Sequence, residues 1–272
     1  MEEDVEEQRY LKLLKIEDIK VADLLYKLDN IQEFWLFNDK ISQFYVGTNV
    51  SILQEIPGMK IMSRMQNSIA WFEKSNYFIK FIKYSINKTL EILNSDTSTF
   101  VPFGVSEINE HEFYYVENAE YRLFSFCEIL AQLYNDFFEL KIPIYTINHR
   151  KFFQKNRKQI INKIKNLKYN PEIKNAIIRE VDNIIKFLNR DISYNYLVDK
   201  RNSFTHRENP HSFTMLNGVS KSDFLVDHPL YEIKNIIDVL EKIHLYICTV
   251  YKLYFCEFKG YGLLDKYEIK VK

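Results

Sequence analysis

The sequence predicts an all-α fold, on three observations. Apolar residues recur at spacings of three and four over long stretches. Only six Gly and six Pro interrupt 272 residues. The abundant aromatics, 21 Phe and 19 Tyr, fall mostly inside those periodic stretches rather than in alternating runs. The architecture expected is an up-and-down helical bundle, residues 117–258, preceded by an N-terminal helical elaboration over residues 1–95. Because no repeat, low-complexity block or linker divides the chain, 1–272 is read as a single domain.

The elements follow in order. From Glu6 to about Tyr45, Leu11, Leu14, Ile19, Leu24, Leu28 and Ile31 keep helical spacing, as two helices, and Gly47 to Gly58 breaks the run. A second helical region covers Lys60 to Leu93, with Trp71, Phe72, Phe78, Phe81 and Tyr84. Asn94 to Asn118 reads as a connection, its Phe113-Tyr114-Tyr115-Val116 a candidate short strand because aromatic and β-branched residues favour one.

Helical spacing returns from Ala119 to Leu140, where Leu123, Cys127, Leu130, Tyr134 and Phe137 share a side, and Pro143 closes the segment. Arg150 to Lys168 is a basic helix with eight Lys or Arg and no acid. Pro171, preset for a first helical turn, opens a helix whose Ile173, Ile177, Val181, Ile184 and Leu188 keep near-perfect period. Another helix starts near Ile192 and ends before Pro210. After a polar connection, Asp227-His228-Pro229 reads as an acidic cap before proline. The last helix runs to about Phe258, and its stripe of Ile233, Ile236, Leu240, Ile243, Ile247 and Tyr254 is expected to be buried.

Composition narrows the function classes. The 37 basic and 37 acidic residues give zero net charge, so nucleic acid would be met through a local patch and not a whole-molecule field. Cys127, Cys248 and Cys256 form no C-x-x-C pair and read as small hydrophobes in a reducing cytoplasm. Five acids in the first seven residues are unlike a secretory signal. The apolar stretch from Ile243 to Cys256 is too short to span a bilayer and contains His244 and Lys252, so no membrane association is expected. His206, His211 and His228 lack metal-ligand spacing, and there is no phosphate-binding glycine loop or nucleophile elbow. No metal or cofactor is expected. His244, beside the apolar stripe of the last helix, reads as a satisfied core histidine.

Chemistry concentrates in Arg201-Asn202-Ser203-Phe204-Thr205-His206. Arginine offers a permanent forked charge that suits phosphate oxygens, and histidine exchanges protons near neutral pH. On an ideal helix Asn202 and His206 share a face, while Arg201 and His206 diverge by roughly 140°. Both can act at one phosphate if the helix ends near His206, or if a two-fold partner brings a second copy of the motif. The competing account has Arg201 paired with Asp199 or Glu208 and His206 bonded to backbone carbonyls at the helix end.

This string, in a helix followed by a long apolar one, resembles the HEPN superfamily, whose pattern is Arg, a polar residue, a short spacer and His. The resemblance implies a helical bundle that forms a homodimer and, in active members, a metal-independent endoribonuclease built at the dimer interface. Many relatives are prokaryotic toxins or phage-defence effectors. Carried onto this chain, Arg201 would stabilise transition-state charge, His206 would move a proton, and Asn202 would orient the imidazole or bind a phosphate oxygen. Lys200 and Arg207 would hold neighbouring phosphates, with Glu128 supporting the site from an adjacent helix; an ordinary ion pair with a Lys or Arg is the competing account of Glu128. An antitoxin or regulatory protein is an expected partner. The nucleotidyltransferase antitoxin of some relatives is not implied, because their Tyr two residues after the His is here Glu208.

For RNA contact beyond the motif, Lys155, Arg157 and Lys158 on the basic helix are the candidates, with Phe152, Phe153 or His149 available for stacking. A merely solvated helix face is the competing account of that segment. A non-catalytic helical module that dimerises and binds a protein, nucleotide or RNA is the alternative for the whole chain.

Overall fold

The computed structural model describes residues 15–34, 59–94, 110–205 and 227–260. Among them are seven α-helices and one 3₁₀ turn: α1 Val21–Asn30, α2 Met59–Leu93, α3 Glu110–Phe137, α4 His149–Lys165, α5 Pro171–Arg190, α6 Ile192–Thr205 and α7 Pro229–Gly260, with the 3₁₀ turn at Ile144–Thr146. The described residues contain no strand, so the all-α expectation holds. Of the stretch from Glu6 to about Tyr45 expected to form two helices, residues 15–34 are described and hold α1; the remainder, and the break at Gly47 to Gly58, lie outside the described residues.

The candidate strand is corrected: α3 begins at Glu110 and carries Phe113 to Val116 as helix. The reason is visible in burial. Phe113 and Val116 are buried at a spacing of three, Ala119 and Leu123 follow in step, and Tyr114 stays 60% exposed. That is the helical period, which overrides the β-preference of the residues themselves.

The chain forms two compact units, each assembled from discontinuous segments. One comprises Met1–Ile31, Lys80–Phe124 and Phe187–Lys242, and the other Gln32–Ile79, Ser125–Lys186 and Ile243–Lys272. Helices α2, α3, α5 and α7 therefore contribute residues to both.

In the first unit, Leu28 of α1, Ile86 of α2, Leu123 of α3, Leu197 of α6 and Leu240 of α7 are all essentially inaccessible to water. Each such side chain contributes about 1.5–3 kcal/mol by leaving solvent. Asp191 caps α6, its carboxylate accepting the Tyr194 N–H at 3.0 Å and the Lys242 ammonium from α7 at 2.5 Å. Lys27 reaches from α1 to Asp238 of α7 at 2.7 Å.

The start of α7 differs from expectation in its cap. Pro229 does open the helix, but His228 Nδ1 accepts the Leu230 N–H at 3.1 Å. Asp227 turns instead to Lys15, at 2.8 Å, and to the Tyr196 hydroxyl.

The second unit is built around aromatic rings. Tyr254 of α7 lies edge-on to Phe72 of α2 and Phe137 of α3, and its hydroxyl donates to Asp136. Burial raises the Asp136 carboxyl above its ordinary range, against the opposing pull of that hydrogen bond. Helix α3 ends with Glu139 in the left-handed region at φ 47°, while the Leu140 N–H reaches back to Asn135 O and the Glu139 N–H to Asp136 O. This double closure satisfies carbonyls that the last turn would otherwise leave open. The stripe of α7 is buried throughout, and Pro171 opens α5 as expected, although Ile173 is 44% exposed. His244 is held as a satisfied histidine: Nε2 lies 2.7 Å from Gln32 O and the ring packs on Phe34.

Among the described residues, no helix is long and apolar enough to cross a membrane.

Candidate functional site

Helix α6 sets the directions of the motif. Tyr194, Leu197 and Val198 face the core of the first unit, which leaves Asp199, Arg201 and Asn202 exposed. The Arg201 guanidinium carbon stands 4.7 Å from the centroid of the Phe124 ring on α3. Phe124 is itself 4% exposed and packs against Tyr194, which packs in turn against Phe187. The cation thus rests on the outermost of three consecutive rings, an arrangement attractive through the negative face of the aromatic quadrupole.

Glu117, Glu120, Tyr121 and Phe124 of α3 line a shallow open depression with Arg201. Their spacing of three, four and seven puts all four on one helix face. Tyr121 is 53% exposed, whereas Glu120 is 3% exposed. Among the described residues no ion pair forms at Arg201, so the pairing with Asp199 entertained from sequence is not made; Glu208 lies outside the described residues.

Lys200, one residue earlier, points the other way. Its side chain is 11% exposed and its ammonium sits 2.8 Å from Glu232, a residue with no accessible surface, and 3.7 Å from Asp227. Burial alone would lower the lysine, but Glu232, Asp227 and Glu120 outweigh it and hold the ammonium charged. Tyr196 completes this cluster by donating to Asp227 at 2.8 Å. Burial first, then the Glu232 and Asp227 charges, raise its phenol far above the ordinary value, so it remains a neutral donor. For Lys200 the expected phosphate contact would compete with a buried carboxylate.

Glu128, the support residue expected from α3, belongs to the second unit and pairs with His149 Nδ1 at 2.8 Å. On the basic helix, Arg157 forms a two-pronged pair with Asp182 of α5, through Nε at 2.6 Å and Nη2 at 3.0 Å. Lys155 and Lys158 are exposed. The stacking role entertained for Phe152, Phe153 and His149 is corrected: all three are buried, at 3%, 0% and 4% exposure, because they form the core-facing side of α4. His206 and Arg207 lie outside the described residues. No group of three His, Cys, Asp or Glu suited to a metal ion occurs among the described residues.

Two features of the site escaped sequence reasoning. Phe124 as the seat for Arg201 and Glu120 as a buried carboxylate near Lys200 both depend on α3 and α6 meeting. A partial signal was the series Glu117, Glu120, Tyr121, Phe124, in which two acids share the face of an otherwise core-forming residue.

The profile of the Cthe2314-like HEPN family matches residues 62–259, more than half of the chain, from the first turn of α2 through nearly all of α7. No curated protein and no solved structure matches the chain.

Proposed function

Because the chain belongs to the Cthe2314-like HEPN family, an all-α bundle fold whose wider superfamily includes many ribonucleases, we propose that it is a metal-independent endoribonuclease. The observation that carries this reading is Arg201: an exposed guanidinium, seated on a buried ring and in no ion pair among the described residues, immediately before Asn202 and five residues before His206. A structural surface arginine would be expected to find a carboxylate. One held on a ring keeps its donors available to an incoming phosphate.

RNA carries its own nucleophile in the 2′-OH, so cleavage needs proton transfer and relief of charge on the crowded phosphorane. His206 moves the proton, as base towards the 2′-OH or acid towards the leaving 5′-oxygen. Arg201 stabilises the transition-state charge, and Asn202 holds the imidazole or a phosphate oxygen. The products are a 2′,3′-cyclic phosphate and a 5′-hydroxyl. A homodimer supplies the composite site, a two-fold mate bringing a second copy of the motif beside the first. A prokaryotic toxin or phage-defence role is the biological setting of this reading.

The test is cleavage of total RNA in the presence of EDTA. His206→Ala and Arg201→Ala are each expected to lose about 10²-fold or more in rate while remaining folded. Full activity in His206→Ala, or wild-type activity abolished by EDTA and restored by a divalent ion, would overturn the mechanism.

A further inference from the structure

Helix α4 carries a second, chemically separate feature. On ideal geometry Lys151, Lys155, Lys158 and Lys165 fall within about 80° of arc and extend for about 21 Å along the axis. All four are exposed, and among the described residues none is in an ion pair. Arg157, on the flank, is committed to Asp182. The first turn of α4 contains no acid, and its N-cap Asn148 accepts the Lys151 N–H through a neutral side chain. Positive charge there opposes the helix dipole, and like charges three and four apart repel one another. The helix therefore carries its lysine row at a cost in its own stability, and a polyanion would relieve it.

Two polyanions suit a basic amphipathic helix, and the other face of α4 decides between them. Membrane binding needs an apolar face free to enter the lipid. Here Phe152, Phe153, Ile160 and Ile164 are buried in the second unit. We infer that the Lys151, Lys155, Lys158 and Lys165 row is a docking track for the phosphate backbone of single-stranded nucleic acid. With no exposed ring on that row to stack a base, it reads charge and not sequence. The adjacent 151–155 step rises about 6 Å, close to the phosphate spacing of an extended strand.

The experiment measures binding of a fluorescent twelve-nucleotide oligouridylate to the full chain carrying His206→Ala, so that cutting cannot confuse binding and the result stands independently of the ribonuclease reading. Four phosphate contacts predict a slope of log affinity against log salt of about −3. The quadruple Lys→Ala variant should lose at least about ten-fold in affinity at low salt and most of that slope, whereas quadruple Lys→Arg should keep both. Oligodeoxyuridylate should bind equally through this row, and phosphatidylserine vesicles should not bind. An unchanged slope in the Lys→Ala variant, or vesicle binding that the same variant abolishes, would overturn the proposal.

Discussion

At the scale of single residues, the motif depends on where two neighbouring cations point. Arg201 emerges onto Phe124 while Lys200 turns inward to Glu232. An exposed cation on an aromatic face is worth about 0.5–1 kcal/mol. On the proposed ribonuclease reading, Phe124→Leu should therefore reduce turnover about two- to five-fold by loosening Arg201, with folding checked by urea titration. His228 offers a prediction independent of activity. Burial lowers its imidazole to about 4, against the opposing effect of Glu232. The unfolded chain takes up that proton near pH 6.5, so the native state binds fewer protons in between. Stability then falls as pH drops from about 6.5 to 4, by as much as about 3 kcal/mol, and this contribution is flat above that window. His228→Asn keeps an acceptor for the Leu230 N–H and should flatten the dependence, read as the difference between urea unfolding curves of the two proteins.

At the scale of elements, α6 is joined to α7 by an unusually buried charge pair. Removing one member of such a pair leaves the other charge stranded and costs about 3–5 kcal/mol. Asp227 remains 3.7 Å from the Lys200 ammonium, which places Glu232→Ala near the lower end, while Glu232→Gln should cost less by retaining an acceptor. Urea midpoints measure both. The connection between α3 and α4 tests backbone strain. Lys141 occupies the left-handed region at φ 58°, where a side chain beyond hydrogen costs about 1–2 kcal/mol. Lys141→Gly should be neutral or stabilising by up to about 1 kcal/mol after the entropy glycine adds to the unfolded chain, and Lys141→Val clearly destabilising; thermal melts distinguish them.

At the scale of the whole molecule, the proposed site is built from two chains related by a two-fold axis. Sedimentation equilibrium should show a dimer, and a stable interface should bury roughly 1,200 Å² or more in total. A monomer at micromolar concentration that still cleaves RNA with first-order dependence on protein would remove the two-fold site. What the sequence determined by itself is what depends on local repetition. The 3.6-residue period placed α2, α4, α5 and α7, picked out the buried stripe of α7, and located Pro171 and Pro229 at helix starts. The Arg201 to His206 string likewise pointed to the family before any fold was known. Only the tertiary structure decided that Phe113 to Val116 is helical, that Lys200 is buried, that Arg157 belongs to Asp182, and that Phe124 seats Arg201. Each of those outcomes involves partners 25 or more residues apart or a face chosen by packing. Chain-local preference has no term for a neighbour that arrives only when helices meet.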